Sequence, residues 1–582
     1  MSLPKPERLT LVDLLLEYEG IRLFVERAAA VKSDFVLTEQ NAAAVLQICQ
    51  QLEGIPLALE LAAARTRLLS PEHLAEHLKN RFELLTQGSR TALPRHQTLR
   101  ATIDWSYDLL PEPERILFQR LYVFAGGFTL EAAEAICSEK PLAPGALLDS
   151  LTRLVDRSLV KVERESGHVR YRVMETIREY ARQKLDETGD TEHLRQRHAG
   201  FFIAFAEQAD SNLRKPEQFE WLDRLELDHD NLRAGWDYAI ATNVELAYRL
   251  ASALLDFWSM RGNPGEGRQW LALLLPRTNR WGQSARRAHA LSVAGRLAYL
   301  QRDFEAARRL LEEGLVGARA ANHQNEIAFA LLWLGWTLHR RHDELAAKAC
   351  LEECLEISRA LQDEWAIAMI FYQLAALAGA QGRYEEAEQR YMESLAIFRD
   401  QGDNFRAGYV LNGLGELARL LGDYERAGRY YEQHMEILQA RRSHGALATS
   451  LVNLGWVYLH AGDERKSRAT FEESSKLSLA YGNKNGIALS LAGLAGLLGT
   501  TGQPVEAAEL FGAVEVLLER IGMAGRMDAA DQQEFEHYVE TVRAQLDQDA
   551  FAQAWKRGRS LSLEQALDLA LGASSDWSKL RA

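Results

Sequence analysis

Cysteine is scarce in this chain. Cys49, Cys137, Cys350 and Cys354 are the only four in 582 residues. That excludes a disulfide scaffold and fits a reducing, cytoplasmic setting. Cys350 and Cys354 lie four apart with no His or Cys set beside them, so they read as two small core residues on one helix face. No apolar run reaches the length of a membrane span, and Met1–Glu7 lacks the apolar core of a signal peptide. Positive charge is in deficit, with 68 Lys and Arg against 82 Asp and Glu and a net charge of −14. That argues against general attraction to nucleic acid or anionic membrane. A Gly-rich phosphate loop of the form G-x-x-x-x-G-K-[ST] is absent, and no apolar strand ending in paired carboxylates precedes residue 50. Ser89, His96 and Asp104 make a triad only by number, without a nucleophile elbow. The expectation is a chain that is not an enzyme by itself and requires no cofactor or metal.

What is present is a register. Gly295, Gly335, Ala375, Gly415, Gly455 and Ala495 recur at an interval of forty residues. Seven residues after each comes a turn, as in Gly382-Arg383-Tyr384 and Gly422-Asp423-Tyr424. An Ala-rich amphipathic segment follows each turn. A fixed period of this size means a helical solenoid in which each unit is helix, turn, helix. The small residue lets the two helices approach, and the Ala after the turn is expected to pack against it. The pattern resembles tetratricopeptide repeats in a long variant, since the usual unit has about 34 residues. Such arrays bind partners on a concave face, here a protein or a small molecule. The helical spacing assigns Trp333, Trp336, Tyr372, Phe398, Tyr430, Tyr431 and Trp456 to core and inter-repeat packing.

Residues 1–94 read as short helices, with Gly54-Ile55-Pro56-Leu57 breaking one and starting the next. Leu52–Arg65, Leu84-Leu85-Thr86, Gly88-Ser89-Arg90 and Leu93–Leu99 resemble the "GxP" helical segment of STAND-class signalling NTPases, relatives of the NB-ARC ATPases. The resemblance implies that Pro56, with Gly54 and Leu57, packs against the adenine of a nucleotide. ATP or ADP would then be held only with a complete nucleotide core. The chain is therefore expected to begin inside that module, with the phosphate-loop core truncated, lost or carried by another chain.

Residues 95–190 read as a winged helix. Helices alternate with breaks at Pro111 and Gly126-Gly127, Thr129 caps a short helix, and a hairpin joins Leu159–Val162 to Val169–Val173. A last helix follows from Glu175. Between residues 95 and 190 stand 14 Lys and Arg against 16 Asp and Glu, a net of −2. Phosphate neutralisation needs clustered cations, so direct DNA contact is not expected and the domain reads as a regulatory spacer. Lys161, Arg164, Arg170 and Arg172 are the candidates for the alternative, a DNA-binding transcriptional regulator. The STAND resemblance places a nucleotide-sensing "MHD" motif at Val173, Met174 and Glu175, with Met174 where the family has His.

Residues 191–285 are a helical connector or divergent repeats. They include Leu222–Ala234, a segment similar to the one that joins winged helix to repeats in that family. In it, Asp228, His229 and Asp230 are adjacent and point to different helix faces, which excludes a metal set. Residues 286–525 hold the repeats, 526–572 capping helices with a capping box at Ser562 and Gln565, and 573–582 a tail. The expected fold is mainly α: a helical segment and a winged helix followed by a tetratricopeptide-like α-solenoid. The expected function is a non-catalytic signalling scaffold, part of a STAND-type regulator. The runners-up are the DNA-binding regulator and an ATP- or ADP-binding ATPase subunit.

Overall fold

The computed structural model describes residues 15–571 apart from 33–34, 53, 55, 64–65, 67–68, 78–102, 104–106, 109, 143, 157–158, 166, 262, 441–443 and 522–526. The fold is mainly α, with a winged-helix region and an α-solenoid after it. The chain divides into two compact units. The first runs to Ala206 and takes in Asp223–Ala247; the second takes in Glu207–Leu222 and continues from Tyr248.

The first unit opens with α1 (Glu19–Val31), α2 (Ala42–Gln51), α3 (Pro56–Ala63) and α4 (Pro71–His77). Then come α5 (Glu112–Arg120), β1 (Gly127–Phe128), α6 (Leu130–Cys137), α7 (Pro144–Asp156), β2 (Lys161–Glu165), β3 (His168–Arg172) and α8 (Glu175–Asp186). The strands form an antiparallel sheet in the order β1-β3-β2, with Gly127 and Lys161 both opposite Arg172. Thr129 caps α6 by accepting from the Ala132 amide at 3.1 Å, which satisfies one of the free N–H groups at a helix start. The hairpin begins two residues later than the sequence pattern places it: Leu159 and Val160 are buried ahead of the strand. β1 escapes sequence reading because two residues carry no alternation.

The connecting helices are α9 (Thr191–Asn212), α10 (Gln218–Leu227), α11 (His229–Thr242), α12 (Val244–Ala253), α13 (Leu255–Arg261) and α14 (Pro264–Leu274). The array follows as α15 (Ala285–Leu300), α16 (Phe304–Ala320), α17 (Gln324–Arg340), α18 (Glu344–Ala360), α19 (Glu364–Ala380), α20 (Tyr384–Gln401), α21 (Asn404–Leu420), α22 (Tyr424–Ala440), α23 (His444–His460), α24 (Glu464–Ala480), α25 (Lys484–Thr500) and α26 (Pro504–Arg520).

The period of forty is twice twenty. Most helices of the array have 17 residues, and positive φ recurs every twenty at Arg302, Asn322, His342, Gln362, Gly382, Gly402 and Gly422, then at Gly462, Gly482 and Gly502. The residue after it directly precedes the next helix. Asp303, Asp343, Asp363, Asp403, Asp423, Asp463 and Asn483 each accept from the amide three residues on, at 3.0–3.2 Å. One turn geometry therefore serves both within and between repeats.

The small register works as expected, but the residue it admits lies further along. A Cβ on Gly295, Gly335, Gly415 or Gly455 would stand 2.5–2.9 Å from Leu311, Leu351, Tyr431 or Phe471, sixteen positions later. The Ala twelve positions on contributes its backbone oxygen at Gly295 and Gly335. First helices α15, α17, α19, α21, α23 and α25 pack on one another in succession more closely than the second helices do. They therefore line the inner face. After the array, α27 (Ala529–Arg543) packs on α21, α25 and α26, while α28 (Gln548–Arg559) and α29 (Leu563–Leu571) close its end. Ser562 and Gln565 form the reciprocal capping box, at 2.8 and 3.2 Å.

Non-glycine residues at positive φ cost about 1–2 kcal/mol each. His342→Gly and Gln362→Gly are each expected to stabilise the array by roughly 0.5–1 kcal/mol once glycine's own entropy is set against that. Gly382→Ala, where an added Cβ meets no neighbour within 4 Å, is expected to destabilise it by about 1 kcal/mol. Urea denaturation of the three variants checks both signs.

Candidate functional site

In the first unit the exposed hairpin and its anchor separate the four candidate cations. Lys161 and Arg164 are exposed, and the Arg172 side chain is half exposed, 3.8 Å from Glu163. Arg170 is turned inward. It makes two bonds to the Asp228 carboxylate, at 2.7 and 3.1 Å, and donates to the carbonyls of Gly127 and Leu227. Asn231 completes the lock: its amide donates to Gly127 O and Asp228 Oδ1, and its oxygen accepts from the Ala125 amide. The start of α11 is thus bolted to β1 and β3. Within the Leu227–Asn231 stretch it is Leu227 O, Asp228 and Asn231 that make this lock. Beside the lock lies a cleft of about 430 Å³ lined by Tyr122, Arg178, Glu192, Arg195, His198 and Asp237, among others. Burial lowers His198 to about 4, against the pull of its bond to Asn231, so the ring is neutral.

The outer face of α7, the helix in the recognition position, carries Leu148, Asp149, Thr152, Arg153 and Asp156. Its one cation reaches back to buried Glu114 at 3.3 Å. Free positive charge therefore sits on the β2–β3 wing rather than on α7.

The residues assigned to a nucleotide fall on two stretches, Gly54–Leu57 and Met174-Glu175. Gly54 is buried at φ 64° between α2 and α3, Pro56 opens α3 with its ring exposed, and Leu57 follows it. Met174 precedes α8 without a side-chain capping bond, and Glu175 pairs with Arg178 at 2.9 Å. Ser89, His96 and Asp104 lie outside the described residues. Cys354 is buried with its thiol 3.1 Å from Ala328 O. Among the described residues, no group of three or more His, Cys, Asp or Glu could hold a metal ion, and no helix is long and apolar enough to cross a membrane.

The second unit holds a buried ionic hub that sequence reading missed. Asp403, fully buried, caps α21 and also accepts from Trp365 Nε1 at 3.1 Å, Arg406 Nη1 at 2.9 Å and Gln218 Nε2 at 3.3 Å. Gln218 Oε1 in turn accepts from the Phe405 amide at 2.8 Å. Arg406 also bonds Asp256 Oδ1 at 3.0 Å, which Arg296 reaches at 2.6 Å; Arg214 bonds the other oxygen at 3.2 Å. The guanidiniums of Arg406 and Arg214 lie 4.7 and 4.0 Å from the Trp365 ring, and that of Arg296 lies 4.5 Å from the Trp333 ring. Burial alone would raise the Asp256 carboxyl, but Arg406, Arg296 and Arg214 hold it well below the usual range. Asp210 is pushed up to about 6 by burial and then by Asp256, against the same three arginines. Arg214, Gln218 and Asp210 all come from residues 207–222, so the hub ties that segment into the array. A signal was present: Arg296 and Glu416 stand at the inner-face register where Trp336 and Trp456 stand, so charge interrupts an aromatic series.

A family model for the tetratricopeptide repeat matches residues 326–400 and 406–480, and one for the winged helix-turn-helix domain matches 110–186. The chain thus carries tetratricopeptide repeats within 326–480 and a winged-helix domain at 110–186. It is 42% identical over 258 residues to "Putative HTH-type transcriptional regulator Rv0890c" of Mycobacterium tuberculosis, covering 44% of this chain and 29% of that one. It is 42% identical over 186 residues to "Uncharacterized protein Rv0894" of the same organism, covering 32% and 47%. The chain therefore spans less than half the length of either relative. Among solved structures it resembles the STAND protein with a tetratricopeptide repeat sensor, PH0952, from Pyrococcus horikoshii. The TM-score is 0.51 at 17% identity, covering 88% of this chain and 73% of that one. That likeness speaks for the fold alone. The winged-helix match and the likeness to a protein named as a transcriptional regulator overturn the expectation that direct DNA contact is absent.

Removing one partner from a buried ion pair costs about 3–5 kcal/mol, so Arg406→Met is expected to destabilise the repeat unit by that order in chemical denaturation. Asp210 adds a pH signature. Its folded value lies above the 3.8 of a free carboxyl, so the folded state holds that proton more tightly and stability falls as pH rises from about 4 to about 6. Asp210→Asn is expected to raise the melting temperature above pH 6 and leave it unchanged near pH 4.

Proposed function

We propose that this chain is the sensing and DNA-contacting part of a transcriptional regulator. The winged helix meets DNA through its wing, and the repeat unit receives a protein or small-molecule signal. The supporting observation is that Lys161, Arg164 and Arg172 remain at the surface of β2 and β3 while Arg170 alone is consumed by the internal lock. Wing cations of this kind contact phosphate and so position more than they specify. The acidic outer face of α7 assigns little base reading to that helix. The name of the 42% relative supports the same reading.

Nucleotide binding at Gly54, Pro56 and Leu57 is the second proposal within it, resting on the STAND-like Leu52–Arg65 segment. Titration with fluorescent ATP and ADP tests that part separately.

Fluorescence anisotropy of a labelled duplex at 50 to 200 mM salt tests the main reading. Salt-dependent binding is expected. Replacing Lys161, Arg164 and Arg172 together by Ala is expected to reduce the slope of log K against log salt by about 2.7, from about 0.9 per phosphate contact. Absence of binding, or a triple variant that binds with an unchanged slope, overturns it.

A further inference from the structure

The cleft beside the lock lies wholly within the first unit, and every residue that lines it is a described one. Its volume of about 430 Å³ falls in the range of small-molecule sites, roughly 300–1,000 Å³. Two helices wall it. On α9, Glu192, Arg195 and His198 stand three apart and so share a face. On α11, Ala234, Asp237 and Tyr238 share the facing one. Buried Tyr122 and Val123 line it from the winged-helix core, with Arg178 of α8 beside them.

Part of the polar lining is already spent. Arg178 makes two bonds to Glu175, at 2.9 and 3.0 Å, and its third nitrogen faces Phe124 O at 3.4 Å. The Tyr238 hydroxyl donates to Glu192. Among the described residues, three groups are not spent. Arg195 is held by one bond, from Nε to the Tyr122 hydroxyl at 2.8 Å, and its two Nη groups meet no acceptor. Asp237, on the other wall, accepts from no donor, and burial raises its carboxyl against the pull of Arg233. His198 is the third, at 2% exposed. Its Nε2 stands 3.4 Å from Asn231 Oδ1. The Asn231 nitrogen gives its hydrogens to Gly127 O and Asp228 Oδ1, so Oδ1 is an acceptor and His198 Nε2 carries the proton. The ring is neutral, which leaves Nδ1 a bare acceptor that no donor reaches. A buried acceptor left without a donor is costly, and this one belongs to a side chain that lines the cleft.

One guanidinium, one carboxylate and one buried acceptor around a single cleft are the complement of a small zwitterion. The paired N–H groups of Arg195 suit a carboxylate. An ammonium has three hydrogens to give, enough for Asp237 and His198 Nδ1 together. Neighbouring helices stand about 8–10 Å apart, a width that suits opposite charges carried a few bonds from each other. We propose that this cleft binds a free α-amino acid with an apolar side chain. Arg195 takes its carboxylate, Asp237 and His198 take its ammonium, and Val123 and Ala234 meet its side chain. A donor at Nδ1 also polarises the Nε2–H bond toward Asn231, so the ligand stands one hydrogen bond from the lock. Met174 and Glu175 do not line the cleft, which separates it from the positions assigned to a nucleotide. The site goes beyond the reading of wing and repeats. Loss of DNA binding would leave it standing, and its own failure would leave that reading standing.

Calorimetric titration of the full chain with leucine and phenylalanine tests the site. Isocaproate and hydrocinnamate are their counterparts without the ammonium, isoamylamine and phenethylamine those without the carboxylate. Saturable binding of at least one amino acid is expected, at least tenfold tighter than either of its counterparts. Arg195 and Asp237 are exposed, so Arg195→Gln and Asp237→Asn are expected to leave the thermal melt unchanged. Each is expected to weaken binding of the amino acid tenfold or more. Asp237→Asn is expected to leave binding of the acid without an ammonium as it was, which a merely structural role would not do. No saturable binding of either amino acid overturns the proposal. So does a truncated counterpart that binds as tightly, or an affinity that neither variant changes.

Discussion

A single carboxylate, Asp403, ties the connector segment of the second unit to its repeat array. At the equivalent position Asp303, Asp343, Asp363, Asp423, Asp463 and Asn483 are helix caps that are not buried, while His323, Arg383 and Gln503 make no side-chain cap. Asp403 caps in the same way, but it is fully buried and takes three more donors, from Trp365, Arg406 and Gln218. An ionised carboxylate out of water is tolerated only when its lone pairs are met. Here they are met by groups that lie far apart in the chain. Through Arg406 the network reaches Asp256, and from there Arg296 and Arg214. The turn itself is shaped for the contact. Gly402 has positive φ, and a Cβ there would strike the Pro216 ring at 2.5 Å. The connector segment is thus seated on the array by a turn that keeps its repeat geometry and gains a buried partner.

The array was legible because its signal is local and periodic. The forty-residue register of small residues gave the architecture and placed the tightly packed helix pairs. The finer period of twenty was hidden by chemistry. Glycine marks the positive-φ position in the later turns, but Arg302, Asn322, His342 and Gln362 hold it in the earlier ones. The filler of each small position was misjudged by one turn, since Leu311 and Tyr431 lie sixteen places on and the conspicuous Ala only twelve. The hub was not legible. Asp403 looks in sequence like any turn aspartate, and its bond to Gln218 spans 185 residues. The strand boundary slipped for a similar reason: Leu159 and Val160 are core residues that happen to adjoin a strand.

The wing shows how a charge count can mislead. Residues 95–190 sum to a net of −2, but a sum does not distinguish surface from interior. Glu114 is buried against Arg153, and Arg170 is buried against Asp228. Arg170 and Arg172 share a strand face by alternation, yet one is covered by the start of α11 and the other is open. What remains exposed on the wing is Lys161, Arg164 and Arg172. The lock at Asp228 and Asn231 also gives the connector segment a physical role: it fixes the first turn of α11 to the small sheet, so the wing stands on an anchored base.

The most direct test of the account is amide hydrogen exchange at Phe405, whose N–H donates to Gln218, and across residues 213–218. If the buried hub seats the connector on the array, these amides exchange only as slowly as those inside α19 and α21, and Asp403→Asn speeds them selectively. If they exchange like a surface loop in the unaltered chain, many-fold faster than the helices beside them, the connector is not held by Asp403 and the hub does not organise the unit.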